Sequence, residues 1–212
     1  MRLEIRTKEQ YKTSNWSGGQ TTELYLYPPD GDYASRRFAI RLSSATVEAE
    51  ESTFTKLPGI ERKLMILEGA LSLEHIGIRK RQMKPFDVEA FSGDWDTLSR
   101  GKVRDFNLMV REGIPSSMEY CRVTGDTRLA LTDEGPDTLI LLYLIQGSGS
   151  LKIMENSVPA DSPASASAAA PIVKSLGASD LALLHDYRGE VCYLCPDEGT
   201  AIDLAICVCR EV

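Results

Sequence analysis

Leu64-Met65-Ile66-Leu67-Glu68-Gly69, followed by Leu71-Ser72-Leu73, recurs later in the chain as Leu142-Tyr143-Leu144-Ile145-Gln146-Gly147, followed by Gly149-Ser150-Leu151. Each copy is an apolar run that ends in an acidic or amide residue and a glycine, after which an alternating run takes over. Glycine at that point permits a tight turn, so each copy reads as a β-hairpin. Downstream of each hairpin, a step through aspartate leads into another strand: Lys84-Pro85-Phe86-Asp87-Val88-Glu89-Ala90-Phe91 in the first half, Leu176-Gly177-Ala178-Ser179-Asp180-Leu181-Ala182-Leu183-Leu184 in the second. An internal repeat of this kind divides the chain into two like halves, 1–113 and 114–212.

Working outward, strand signals dominate. Thr22 to Tyr27, Phe38 to Leu42, Ala45 to Ala49, Leu64 to Leu67, Thr138 to Ile145, Leu181 to Leu184, Val191 to Leu194 and Ile202 to Val208 are short, rich in aliphatic, aromatic and β-branched residues, and bounded by turn formers. Phe38, Ile40 and Leu42 share one strand face and Arg41 lies on the other, which puts one face on a core and the other on solvent or a cavity. Only Thr7 to Lys12 and Arg100 to Gly113 read as non-strand. The order strand, glycine turn, strand, aspartate turn, strand is that of the double-stranded β-helix, or cupin barrel; two per chain make an all-β bicupin. The segment at about 156–171, Asn156 to Pro171, is almost entirely Ala, Ser and Pro and reads as a flexible surface loop within the second half.

The chain has 212 residues, 24 Lys+Arg against 31 Asp+Glu, and a net charge of −7. That sign opposes binding to a phosphate backbone, so nucleic acid is not an expected partner. Met1 to Gln10 is charged and has no apolar core of a signal peptide, and the apolar run Thr138 to Ile145 is far short of the ~20 residues of a membrane span. The five cysteines, Cys121, Cys192, Cys195, Cys207 and Cys209, fit reduced thiols in a cytoplasmic protein. Cys192 and Cys195 have redox spacing but sit on a strand, where nothing lowers a thiol pKa. Cys207 and Cys209, alternate residues on a strand, would complete four sulfur ligands, but zinc ribbons pair two knuckles of two-residue spacing, so buried or edge thiols rather than a zinc site are the expectation.

Metal-binding cupins need imidazole and carboxylate ligands converging from a pair of His one residue apart, a nearby carboxylate and a later His. In the first half those positions hold Thr55, Leu57 and Glu61; in the second, Thr132 to Leu139 contains Asp133 and Glu134 but no His. No metal or other cofactor is expected. His75 and His185, the two histidines, read as surface or hydrogen-bonded strand-end residues rather than proton shuttles.

Five linked motifs carry a family likeness: Asn15-Trp16-Ser17-Gly18-Gly19-Gln20-Thr21-Thr22-Glu23-Leu24, Phe38 to Val47, Phe54-Thr55-Lys56-Leu57-Pro58-Gly59-Ile60-Glu61-Arg62, Phe91-Ser92-Gly93-Asp94-Trp95, and Arg104-Asp105-Phe106-Asn107-Leu108-Met109. In order and spacing the chain resembles the HutD/Ves family from about Met1 to Gly113. Where many members have a Trp-Lys-Asn-Gly-Gly sequence, this chain has Trp16-Ser17-Gly18-Gly19 and lacks the Lys and Asn. The resemblance implies a bicupin fold and a regulatory or metabolite-responsive role linked to histidine utilisation or stress, with no assigned reaction.

Within these motifs lie Trp16, Arg41, Phe54, Arg62, Asp105 and Asn107, with Arg111 beside them. Arg offers a planar fork to a carboxylate, Asn both donates and accepts, and Trp or Phe supplies an apolar wall, so the set suits a pocket for a small polar metabolite. The same residues could be scaffold: Asp105 and Asn107 capping backbone amides in a turn, Arg62 and Glu68 a cross-strand pair. Gly18-Gly19 could cradle an anion or simply turn the chain. Glu61 and Glu68 are the candidates for acid–base catalysis if the protein is instead a metal-independent isomerase or epimerase. A structural protein with a filled barrel is the third reading. Exposed strand edges are compatible with a homodimer.

Overall fold

The computed structural model describes residues 1–132, 135, 137–154 and 170–210. Asp133, Glu134 and nearly all of the Ala/Ser/Pro segment lie outside the described residues. The first half of the chain forms β1 (Arg2–Arg6), β2 (Lys12–Trp16), β3 (Gly19–Tyr27), β4 (Ile40–Val47), β5 (Glu51–Thr53), β6 (Ile60–Gly69), β7 (Leu71–His75), β8 (Arg79–Met83), β9 (Val88–Ser92), β10 (Thr97–Arg100) and β11 (Val103–Arg111). The remainder forms β12 (Ser116–Val123), β13 (Thr127–Arg128), β14 (Thr138–Gln146), β15 (Gly149–Met154), β16 (Ile172–Leu176), β17 (Leu181–His185), β18 (Val191–Pro196) and β19 (Ile202–Arg210). A single turn of 3-10 helix, Lys8–Gln10, follows β1, and the Gln10 side chain reaches back to accept the Thr7 backbone N–H at 2.9 Å. No helix among the described residues is long and apolar enough to cross a membrane.

Two compact units result. The N-terminal unit, Arg6–Glu119, has a six-stranded sheet ordered β2-β3-β4-β11-β6-β9 and a four-stranded sheet ordered β5-β10-β7-β8. The C-terminal unit, Tyr120–Arg210 together with Met1–Ile5, has a five-stranded sheet ordered β1-β17-β14-β19-β12 and a four-stranded sheet ordered β13-β18-β15-β16. The division thus departs from halves at 113/114: β1 pairs with β17 and leaves the unit that follows it in sequence.

The repeated hairpins are β6–β7 and β14–β15, turning at Gly69 and Gly147. The aspartate steps are also alike. Asp87 accepts the Lys84 N–H at 3.0 Å and Asp180 the Gly177 N–H at 2.8 Å, while Phe86 and Ser179 donate their N–H groups at 2.7 Å to Ile66 and Leu144. Arg100 to Gly113 contains a strand after all: Val103–Arg111 is β11, paired along its length with β4 and β6. Asp105 and Asn107 are poor strand formers in general. Here they occupy the inward face, and Phe106, Leu108 and Val110, all fully buried, supply the apolar periodicity on the other.

In the N-terminal unit the core lies between the two sheets and is built from Val47, Leu64, Ile66, Leu71, Leu73, Met83, Phe91 and Val103. In the C-terminal unit Ile140, Leu142 and Leu144 of β14 and Leu204, Ile206 and Val208 of β19 meet Leu151, Ile153 and Leu194 from the other sheet, and Leu3 and Ile5 of β1 pack against them.

Candidate functional site

The inward face of the six-stranded sheet is set by cross-strand register, because residues paired in an antiparallel ladder point the same way. Arg41 pairs with Met109, which pairs with Arg62 and so with Phe91. The next inward row is Ser43, Asn107 and Leu64; the one below is Ala45, Asp105 and Ile66. The face therefore grades from polar to apolar towards the core. Bulges at Leu24, in β3 against β4, and at Leu67, in β6 against β11, keep these rows aligned past the irregularities.

A cavity of about 330 Å³ opens over the polar rows. Arg41, Ser43, Ala45 and Val47 line it from β4, Asp105, Asn107 and Met109 from β11, and Arg62 from β6. Ser14, Trp16 and Thr21 come from the β2–β3 hairpin, Tyr33 from the β3–β4 connection, and Ser52 to Thr55 from β5 and its exit. The volume is at the lower end of small-molecule pockets.

Arg41 is fixed. Its Nε donates to Glu23 Oε2 at 2.9 Å, Nη1 donates to Ser43 Oγ at 3.1 Å, and its guanidinium carbon lies 4.0 Å from the Tyr33 ring centroid. Arg62 is held otherwise, with its guanidinium 4.6 Å from the Phe54 ring and 5.3 Å from Phe91. It is 6% exposed, yet its Nε has no hydrogen-bond partner among the described residues. Burial brings its pKa down to about 10, against the pull of Tyr33 and Asp105. Asn107 Oδ1, equally buried, also lacks a partner among them. Asp105 is pushed up to about 7 by burial, against the opposing effects of Arg62 and the Ala45 backbone N–H.

Of the seven residues expected to bind ligand, all but Arg111 line this cavity. Arg111 is exposed at the end of β11, where Nη2 donates to the Phe38 carbonyl at 3.4 Å. Glu61 and Glu68 do not line it either. Glu61 is half exposed with Lys63 3.9 Å away, and Glu68 is mostly exposed and pairs with Arg104 at 3.2 Å rather than with Arg62. Gly18 is a packing glycine: an added Cβ would come within 2.2 Å of the Trp16 ring, and its carbonyl accepts the Glu48 N–H at 2.8 Å. Tyr33 and Ser43, which line the cavity, and Glu23, which holds Arg41, are the site residues that sequence reading missed. Ser43 was reachable by continuing the alternation from Arg41, whereas a loop tyrosine and a charge-setting glutamate leave no such signal.

Both histidines are buried, which overturns the surface reading, and His75 is hydrogen-bonded. His75 Nδ1 lies 2.9 Å from Thr97 Oγ1 and Nε2 3.5 Å from Glu89, while His185 Nε2 lies 3.4 Å from Glu4. Burial lowers the His75 pKa despite Glu89, whose carboxylate is also held by Arg79 and Arg81. None of the five cysteines is in a disulfide and all but Cys121 are buried; burial pushes Cys192 up to about 12. No cluster of three metal-ligating side chains occurs among the described residues. The cavity lining holds one carboxylate, no imidazole and no thiol, a donor set that does not fit a borderline transition metal.

The C-terminal unit supplies an internal control. Through the repeated hairpin and its matching bulge, Ile140, Leu204 and Ile206 stand where the N-terminal unit has Arg62, Asp105 and Asn107. All three are buried in a packed apolar core. The same architecture is thus built without the polar residues, which are not needed to make the barrel.

The sequence profile of the HutD family matches residues 8–188. Among solved structures, a conserved protein of unknown function from Pseudomonas aeruginosa PAO1 is similar at a TM-score of 0.75 and 22% identity, covering 99% of this chain and 98% of that one. HutD from Pseudomonas fluorescens SBW25 is similar at a TM-score of 0.67 and 20% identity, over 99% and 100% of the two chains. A variant of Bacillus subtilis oxalate decarboxylase reaches 0.65 at 6% identity, over 98% and 77%. At these identities the likenesses speak for the fold, all-β of the cupin type. No curated protein sequence matches the chain.

Proposed function

The chain belongs to the HutD family, and from that premise we propose that it is a bicupin binding protein whose N-terminal barrel holds a small carboxylate, metal-free, with occupancy serving a regulatory role in histidine utilisation. The observation that carries this reading is the pair Arg62 Nε and Asn107 Oδ1: two buried polar atoms that line a cavity and have no partner among the described residues. Leaving such groups unpaired costs about 1–3 kcal/mol each, a cost a bound guest relieves. Arg62 supplies a donor to a carboxylate and Asn107 Oδ1 an acceptor for an N–H or O–H on the same guest. The aromatic walls of Phe54 and Trp16 enclose the apolar part.

Binding is favoured over acid–base catalysis because Asp105 is the lone carboxyl of the lining, while an isomerase or epimerase needs an acid and a base facing one another. Thermal-shift measurements with urocanate, N-formylglutamate and N-formiminoglutamate test the proposal. At least one is expected to raise the melting temperature, and Arg62→Met is expected to abolish the rise. No shift with any of them, or a shift that survives Arg62→Met, rejects it.

A further inference from the structure

The cavity holds a charge arrangement whose parts can be separated. The Arg41 cation is matched by the Glu23 carboxylate at 2.9 Å, so this pair adds no net charge. Arg62 has no such ion pair among the described residues: two aromatic rings flank it and its Nε is open. Asp105 lies two rows deeper than Arg62, beside Ala45 and Ile66 and next below Asn107.

The charged group bearing on Asp105 is Arg62 from β6, and Arg62 is influenced in turn by Tyr33 from the β3–β4 connection and by Arg41 from β4, which Glu23 from β3 pairs. The β2 and β5 elements contribute only Ser14, Trp16 and Ser52 to Thr55. Beyond the lining, Glu89 is engaged by Arg79, Arg81 and His75. With Asp105 protonated the cavity carries one uncompensated positive charge; with Asp105 ionised it carries none and sets a carboxylate against an incoming anion.

Resting on the binding reading above, we infer that the cavity takes up a monoanion together with a proton: the guest's carboxylate sits on Arg62, its N–H or O–H meets Asn107 Oδ1, and Asp105 keeps a proton while the guest is bound. Burial of Asp105 holds its proton to about pH 7 before any guest arrives. A dianion would bring a second charge into a site with one cation to spare, and desolvating it unpaired is costly. Glu23 is then a specificity-setting residue, since it cancels Arg41.

The probes are glutaramate, a monoanion with a carboxamide N–H, and glutarate, its dianionic counterpart, titrated calorimetrically against the whole protein between about pH 6.5 and 8.5, where glutarate is fully ionised. Glutaramate is expected to bind more tightly than glutarate, and above pH 7 its affinity is expected to fall about tenfold per pH unit. Buffers of different ionisation enthalpy are expected to show uptake of about one proton per guest in that range, as the linkage requires. Asp105→Asn, whose amide can also donate, is expected to bind glutaramate with no pH dependence. Glu23→Gln, by releasing the charge of Arg41, is expected to narrow the preference against glutarate. Arg62-dependent binding without proton uptake, or an equal preference for the two probes, overturns the inference and leaves the binding reading standing. Absence of binding for both probes at every pH overturns the inference alone if the thermal screen finds a guest, and both readings if it finds none.

Discussion

Asp105 titrates near neutrality because burial makes its charged form costly, and this links the site to stability. Its folded-state pKa of about 7 lies well above the roughly 3.9 of an ordinary aspartate. Below about pH 4 both folded and unfolded chains keep the proton and no penalty exists. Between that point and pH 7 the unfolded chain releases its proton while the folded one retains it, so stability falls as pH rises. Above pH 7 the loss is complete. Asp105→Asn removes the titration: in urea denaturation the variant is expected to gain roughly 2–4 kcal/mol over the parent at pH 8 and to match it near pH 4. A parallel pH profile for both proteins contradicts this. Trp16, Arg41, Phe54, Arg62, Asp105 and Asn107, which line the cavity, stood out in the sequence by their side-chain chemistry within the linked motifs, and strand alternation set Arg41 apart from its apolar neighbours. Glu61 was misread because it neighbours Arg62 on a strand, and neighbours on a strand face opposite ways. Arg111 has the parity of Asp105 and Asn107, but its row runs out at the end of the sheet.

The two hairpins and the two aspartate steps are the elements that recur, and their backbone conformations recur with them. Gly69 and Gly147 have φ of +84° and +92°, and a Cβ at either would come within 2.4 Å or 2.2 Å of a carbonyl oxygen, of Lys102 and of Ala201. Gly69→Ala and Gly147→Ala are each expected to destabilise by at least about 1–3 kcal/mol, measured by chemical denaturation followed by circular dichroism. Phe86 and Ser179 hold matching positions with φ of 72° and 73° but carry side chains there. The left-handed conformation costs an L-residue roughly 1–2 kcal/mol, so Ser179→Gly is expected to stabilise by about 1 kcal/mol, and a neutral or destabilising result would mean the hydroxyl contributes more than the strain. These elements were legible because their turns need particular residues at fixed places. The central strand β11 was not, because Asp105 and Asn107 are strand-depleted types whose placement is dictated by the cavity they line.

At the scale of the whole molecule, one architecture is used twice with different contents. Polar residues around a cavity in the N-terminal unit answer to Ile140, Leu204 and Ile206 in the filled core of the C-terminal unit. The repeat made two barrels readable, but the membership of β1 was not. Arg2 to Arg6 alternates as a strand should, and alternation does not name the partner strand. The partner is β17, and Leu3 and Ile5 pack on the C-terminal core while Glu4 lies 3.4 Å from His185 and the Met1 amino group 3.7 Å from Glu190. Removing Met1–Ile5 therefore takes an edge strand and three apolar side chains, Met1, Leu3 and Ile5, from the unit that lies last in the sequence. Loss of that burial is expected to cost about 2–4 kcal/mol there. Amide exchange can localise the effect, because protection follows the stability of each cooperative unit. In the truncated chain the amides of β17 and β14 are expected to exchange about 10- to 100-fold faster, while those of β4 and β11, which hold the cavity, keep their protection. Faster exchange confined to β2 and β3, the strands that follow β1 in the sequence, would instead place β1 with the N-terminal unit and refute its membership of the C-terminal one.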